Sequence, residues 1–133
     1  MNLVIVEDSI LVIAQLLRLI SCQPRIWVVG IVASESEAVN CIQKYKPDVV
    51  LLDLSLASGN GVTVLGRIRL AGNTARVVVL SNHMSETLQS ACAAIGISGY
   101  FDKSYEMPDC VDLLHAWLPP KDGEIPPSQC WHG

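Results

Sequence analysis

KPDVVLLDLSLASGNG, residues 46–61, puts a helix stop, a buried strand and a turn in one short stretch. Pro47 cannot continue a helix, so any helix before it ends there. Val49 to Leu52 is an unbroken apolar run rich in β-branched side chains, the pattern of a strand covered on both faces. Asp53 closes the run. The Ser, Gly and Asn residues that follow read as a loop, with Gly59 and Gly61 supplying turn freedom, and helical spacing resumes from about Gly61 to Leu70.

The same alternation extends in both directions. Short apolar runs recur at Leu3 to Val6, roughly Ile26 to Val32, Arg76 to Leu80 and Gly99 to Phe101. Between them lie helical stretches. Ser9 to Cys22 carries Ile10, Ile13, Leu17 and Ile20 at helical spacing, and Ser34 with Glu37 makes a capping box for a helix to about Tyr45. Ser85 to Ile95 is closed by Gly96, and Pro108 fits the first turn of a last helix that ends before Pro119-Pro120. Five strand-helix rounds of this kind predict a doubly wound α/β fold, a parallel sheet with helices on both faces. All strand carboxyl ends then lie on one edge, where such folds bind ligands.

The chain has 133 residues, half of them apolar, enough for one domain with a substantial core. Residues 1–118 are expected to form it, and 119–133 to be a short Pro-containing tail with no output domain. The net charge is −4, and the nine basic residues form no run, which argues against direct nucleic-acid binding. The opening MNLVIVEDS lacks a basic leader region, and no segment approaches the ~20 apolar residues of a membrane helix. A soluble cytoplasmic protein is expected. Five scattered cysteines without a C-x-x-C pair suggest buried or half-buried free thiols, four of them in helices.

The predicted carboxyl edge collects Glu7 and Asp8 after the first strand, Asp53 after the third, Ser81 after the fourth and Lys103 just past the fifth. Three neighbouring carboxylates repel one another unless a cation neutralises them or their pKa values shift. Mg²⁺ takes oxygen ligands, keeps several waters and completes its shell with phosphate oxygens. With such an ion, Asp53 can act as a carboxylate nucleophile, while Lys103 and the Ser81 hydroxyl stabilise phosphoryl oxygens. Singly these residues have plainer readings. Glu7-Asp8 fits a solvated loop beside a helix N-terminus, Asp53 an Asx-turn, Ser81 a cap, Tyr100 core, and Lys103 a surface pair with Asp102 or Glu106.

Taken together, VIVEDS (4–9), KPDVVLLDLSL (46–56), VVVLSNH (77–83) and GYFDKS (99–104) resemble the receiver domain of two-component response regulators, over roughly residues 2–118. The resemblance implies a flavodoxin-like sheet with strand order 2-1-3-4-5 and a phosphoryl group carried on Asp53. It implies Mg²⁺ held by Glu7, Asp8, Asp53 and the backbone carbonyl of Ser55, with Lys103 as the basic partner. Ser81 and Tyr100 would be switch residues, and Ser55 and His83 would tune phosphoryl lifetime. The implied donor is a histidine kinase or histidine phosphotransfer protein. The signal would leave through a downstream protein or a homodimer formed on the fourth helix, fifth strand and fifth helix, with Trp117 and Trp131 as aromatic contact candidates.

Three positions depart from the family pattern. Ala57 replaces a common proline, which puts loop rigidity in question. Ser104 replaces another, so a trans bond is expected after Lys103. Asn82 stands where a small residue is usual, and crowding or hydrogen bonding by its side chain are both open. Two other functions compete: a pseudo-receiver that binds proteins without phosphoryl chemistry, and a flavin- or nucleotide-binding enzyme. The second is disfavoured because Glu7 and Asp8 occupy the first strand-helix turn and no G-x-G-x-x-G or Walker pattern occurs.

Overall fold

A computed structural model describes residues 1–56, 58–82 and 85–119. Strands β1 (Asn2–Val6), β2 (Trp27–Val32), β3 (Val49–Asp53), β4 (Arg76–Ser81) and β5 (Gly99–Asp102) alternate with helices α1 (Ile10–Ile20), α2 (Glu35–Tyr45), α3 (Gly61–Leu70), α4 (Glu86–Ile95) and α5 (Met107–Ala116). All neighbouring strands are parallel, in the order β2-β1-β3-β4-β5. The expected doubly wound sheet is the one found.

Alternation along each strand divides the core in two. Val4, Val6, Val50, Leu52, Val77 and Val79 face the layer that carries residues of α2, α3 and α4. Leu3, Ile5, Leu51, Val78 and Leu80 face α1 and α5. Apart from Asn2 and Arg76 at their amino ends, the central strands are buried throughout, which is why they read as continuous apolar runs. Full burial of each such Leu or Val side chain contributes about 1.5–3 kcal/mol.

The predicted Ser34–Glu37 capping box forms, and Gly96 ends its helix as expected. Ser34 Oγ accepts from the Glu37 N–H and donates to the Glu37 carboxylate. Ser9, Asn60 and Ser85 cap α1, α3 and α4 through their side chains, and Gly96 ends α4 at φ +121°. Pro47 is preceded by Lys46 in the left-handed region, and all described peptide bonds are trans, that after Lys103 included.

Two expectations need correcting. Ile10 opens α1 at the carboxyl edge of the sheet and is 83% exposed, so it is no part of the core stripe. Leu16 and Ile20 form the buried centre, with Val12, Leu17 and Leu19 beside them. Cys22 lies past the end of α1 and is exposed, whereas Cys41, Cys92 and Cys110 are buried in helices. Burial pushes the Cys110 thiol up to about 12, so it stays protonated and inert. Trp117 is half-buried, with the Arg76 guanidinium 4.5 Å from its ring centre. Cys130, Trp131 and the rest of the tail from residue 120 lie outside the described residues, as do Ala57 and His83. Among the described residues no helix is long and apolar enough to cross a membrane.

Candidate phosphoacceptor site

β1 and β3 are adjacent, so their carboxyl ends bring Glu7, Asp8 and Asp53 to one place. Carboxylate oxygens of the three lie within 4.8 Å of one another. Glu7 and Asp53 are buried and Asp8 is exposed, which leaves the group open to solvent on one side. The Glu7 backbone N–H donates to Val32 O at 2.9 Å, and its carboxylate accepts from the Ser9 N–H at 3.1 Å. Asp53 Oδ1 accepts from the Ser55 N–H at 3.0 Å.

Lys103 comes in from the β5–α5 turn. Its Nζ lies 2.7 Å from Glu7 Oε2 and 3.0 Å from Asp53 Oδ2, and its side chain is only 6% exposed. The surface pairing with Asp102 or Glu106 is therefore not the one found. Asp102 and Glu106 instead hold the turn: Asp102 Oδ1 accepts from the Ser104 N–H, and Glu106 Oε1 from the Asp102 N–H. Burial raises the Glu7 carboxyl above its ordinary value, with the Asp53 charge adding to the rise. The Lys103 bond and the Ser9 N–H oppose it.

Ser81 ends β4 and is buried. Its neighbour Leu80 is in register with Asp53, which puts the hydroxyl-bearing residue at the same edge. The Ser81 carbonyl accepts the Lys103 N–H at 3.0 Å. Tyr100 lies in β5 and is buried in the core that faces α3 and α4, so its ring is already inside. Ser55 is exposed at the start of the β3–α3 loop and bridges Asn60. Lys103 is thus in contact with Glu7 and Asp53, Asp8 lies within 4.8 Å of those two acids, Ser81 and Ser55 are on the same edge, and Tyr100 is behind it.

One part of the surroundings escaped the sequence reading. Glu35, the first residue of α2, reaches the β3–α3 loop, where Oε1 accepts from the Asn60 N–H at 3.3 Å and Oε2 meets Arg67 Nη1 at 3.3 Å. A glutamate in a first helical turn is already accounted for by the helix dipole, so nothing in the sequence marked it.

A five-stranded parallel sheet with clustered acids and a buried lysine at its carboxyl edge defines the receiver class of signalling domain. Residues 3–115 match the family described as response regulator receiver domain, and the chain belongs to that family. It is 29% identical over 116 residues to the nitrate/nitrite response regulator protein NarL of Escherichia coli K12, covering 86% of this chain and 53% of that protein. The chain thus spans about half the length of that relative. A LuxR-family two-component response regulator from Aurantimonas superposes with a TM-score of 0.79 at 27% identity, over 96% of this chain and 90% of that one. A CheX-CheY-BeF3-Mg complex from Borrelia burgdorferi gives 0.79 at 23% identity, over 89% of this chain and 90% of that one, and shares the fold.

Proposed function

We propose that this receiver domain is phosphorylated on Asp53 by a phosphohistidine of a histidine kinase or histidine phosphotransfer protein, in a Mg²⁺-dependent reaction, and signals to a partner protein. The observation that carries the reading is Lys103, buried and bonded to both Glu7 and Asp53 beside a group of three acids. An ammonium loses its hydration there, which is costly unless the pairing has a use.

The donor set suits a hard cation, since every candidate ligand is an oxygen. Burial raises the Glu7 carboxyl, with the Asp53 charge adding to the rise, and a cation beside the two would favour their ionised forms. Glu7, Asp8, Asp53 and the Ser55 carbonyl would hold the ion, which when bound neutralises the acids and the incoming phosphoryl oxygens.

The chain's own groups prepare the acceptor. The Ser55 N–H holds one Asp53 oxygen and Lys103 the other, so the carboxylate is oriented. Transfer breaks the donor's P–N bond and forms a P–O bond to Asp53, and the imidazole leaves and takes up a proton. Lys103 then pairs with a phosphoryl oxygen, and the Ser81 hydroxyl donates to another. Movement of Ser81 toward the new charge, with Tyr100 following in the same core, shifts the face made by α4, β5 and α5 between two arrangements. A downstream protein or a second copy reads that face. Ser55 and His83 tune the lifetime of the acyl phosphate, and the domain catalyses only its own phosphorylation and dephosphorylation.

Acetyl phosphate with Mg²⁺, read by intact mass, tests the reading. Wild type is expected to gain one phosphoryl group, and neither Asp53→Asn nor wild type in EDTA should do so. A wild type that never gains the mass is a pseudo-receiver.

A further inference from the structure

The β3–α3 loop carries Ser55, whose N–H orients the acceptor, yet it has Ala57 where the family commonly has a stiffening proline. Other contacts hold it. The Glu35 backbone N–H donates to Ser58 O at 3.0 Å, and Ser34 and Ser58 form an isolated parallel bridge. The Glu35 side chain covers Gly59, which lies at φ +86°; a Cβ on Gly59 would fall 2.4 Å from that of Glu35. Its Oε1 accepts the Asn60 N–H. Asn60 bridges back to Ser55 and caps α3 through the Thr63 N–H, and the Gly61 N–H donates to Leu54 O at 3.0 Å. The contacts run without a gap from α2 to the acceptor: Glu35, Asn60, Ser55, Asp53.

We propose that Glu35 is a positioning residue for the phosphoacceptor, clamping the proline-less β3–α3 loop so that Ser55 keeps its N–H on Asp53 and its carbonyl in the metal niche. The metal part of this inference rests on the function proposed above; the clamp itself does not. The part of Glu35 that matters is the acceptor oxygen on Asn60. Its ion pair with the half-exposed Arg67 contributes little. α2 is capped by Ser34 and Glu37, so losing the Glu35 side chain leaves that helix formed.

The test compares wild type, Glu35→Ala and Glu35→Gln in amide hydrogen exchange, Mg²⁺ titration followed by NMR, and acetyl phosphate labelling. Glu35→Ala is expected to speed exchange at Ser55, Asn60 and Gly61 while amides inside α3 keep their protection. Mg²⁺ affinity and the labelling rate should each fall about fivefold, the worth of one ordinary hydrogen bond. Glu35→Gln, which keeps the acceptor oxygen, should restore most of all three. Unchanged loop exchange in Glu35→Ala overturns the clamp. Faster loop exchange with unaltered metal affinity and labelling overturns its role in positioning. If wild type neither binds Mg²⁺ nor takes up phosphate, the functional reading fails instead, and Ser55 exchange alone then decides whether Glu35 orients Asp53.

Discussion

Replacing Lys103 with methionine keeps most of the side-chain volume and removes the cation from between two buried acids. At an effective dielectric of about 20, the contacts at 2.7 and 3.0 Å correspond to attractions of about 6 and 5.5 kcal/mol. Glu7 and Asp53 oxygens within 4.8 Å repel by about 3 kcal/mol or more on the same scale. Desolvating three charges offsets most of the attraction, so the intact triad adds little net stability. Once the lysine is gone, the repulsion and the desolvation of two carboxylates remain.

Breaking a buried pair in this way costs about 3–5 kcal/mol. With a urea slope of about 2 kcal/mol/M, the midpoint should fall by roughly 1.5–2.5 M. The assay is urea unfolding in EDTA at pH 8, followed by circular dichroism. Lowering the pH should narrow the gap to wild type, because an uncompensated acid can take up a proton. Mg²⁺ should stabilise Lys103→Met more than wild type, since the ion no longer competes with an ammonium. A midpoint within about 0.3 M of wild type at pH 8 would refute the idea that Lys103 offsets buried charge, given the expected slope.

Gly61→Ala should reduce stability by about 1–3 kcal/mol and slow acetyl phosphate labelling, because the new methyl would lie 2.3 Å from Asp53 O and force the end of β3 to move; urea midpoints and intact mass measure the two effects. The raised Glu7 carboxyl binds protons more readily folded than unfolded, so metal-free wild type should lose stability as pH rises from 4.5 through the folded value, and Glu7→Gln should flatten that decline in urea midpoints. Ser34→Ala should cost about 1 kcal/mol in the same assay, through loss of the Glu37 N–H cap.

Much of the fold was legible because a strand covered on both faces must be apolar at every position. Val49 to Leu52 and Leu3 to Val6 satisfy that condition, and Glu7 and Asp53 after them, themselves buried, mark where the apolar core gives way to the site. Boundaries set by pairing were less visible. β4 and β5 each extend one residue further than their apolar runs, because Ser81 and Asp102 continue the ladder in register. The helical spacing of Ile10 was genuine, but exposure depends on where α1 lies against the sheet, which spacing along one helix does not encode. The acids and Lys103 were placed on one edge by topology alone. That Lys103 bonds Glu7 as well as Asp53, and that Glu35 supports the loop, depends on approaches between distant segments that leave no local mark.

Lys103 also connects the charge at the acceptor to the opposite flank of the site. Its side chain is held by Glu7 and Asp53, while its backbone N–H is held by the end of β4. The turn that carries it is closed by Asp102 on Ser104 and by Glu106 on the Asp102 N–H, and the Glu106 carbonyl accepts the first bond of α5 from the Cys110 N–H. A change in what Lys103 pairs with must therefore be accommodated by its own flexible stem or by this turn. With the side chain buried, the stem has little room, and displacement passes to residues 102–106. Under the function proposed above, that route would lead from a charge on Asp53 to the start of α5 without movement of the central strands, whose packed cores on both faces resist it.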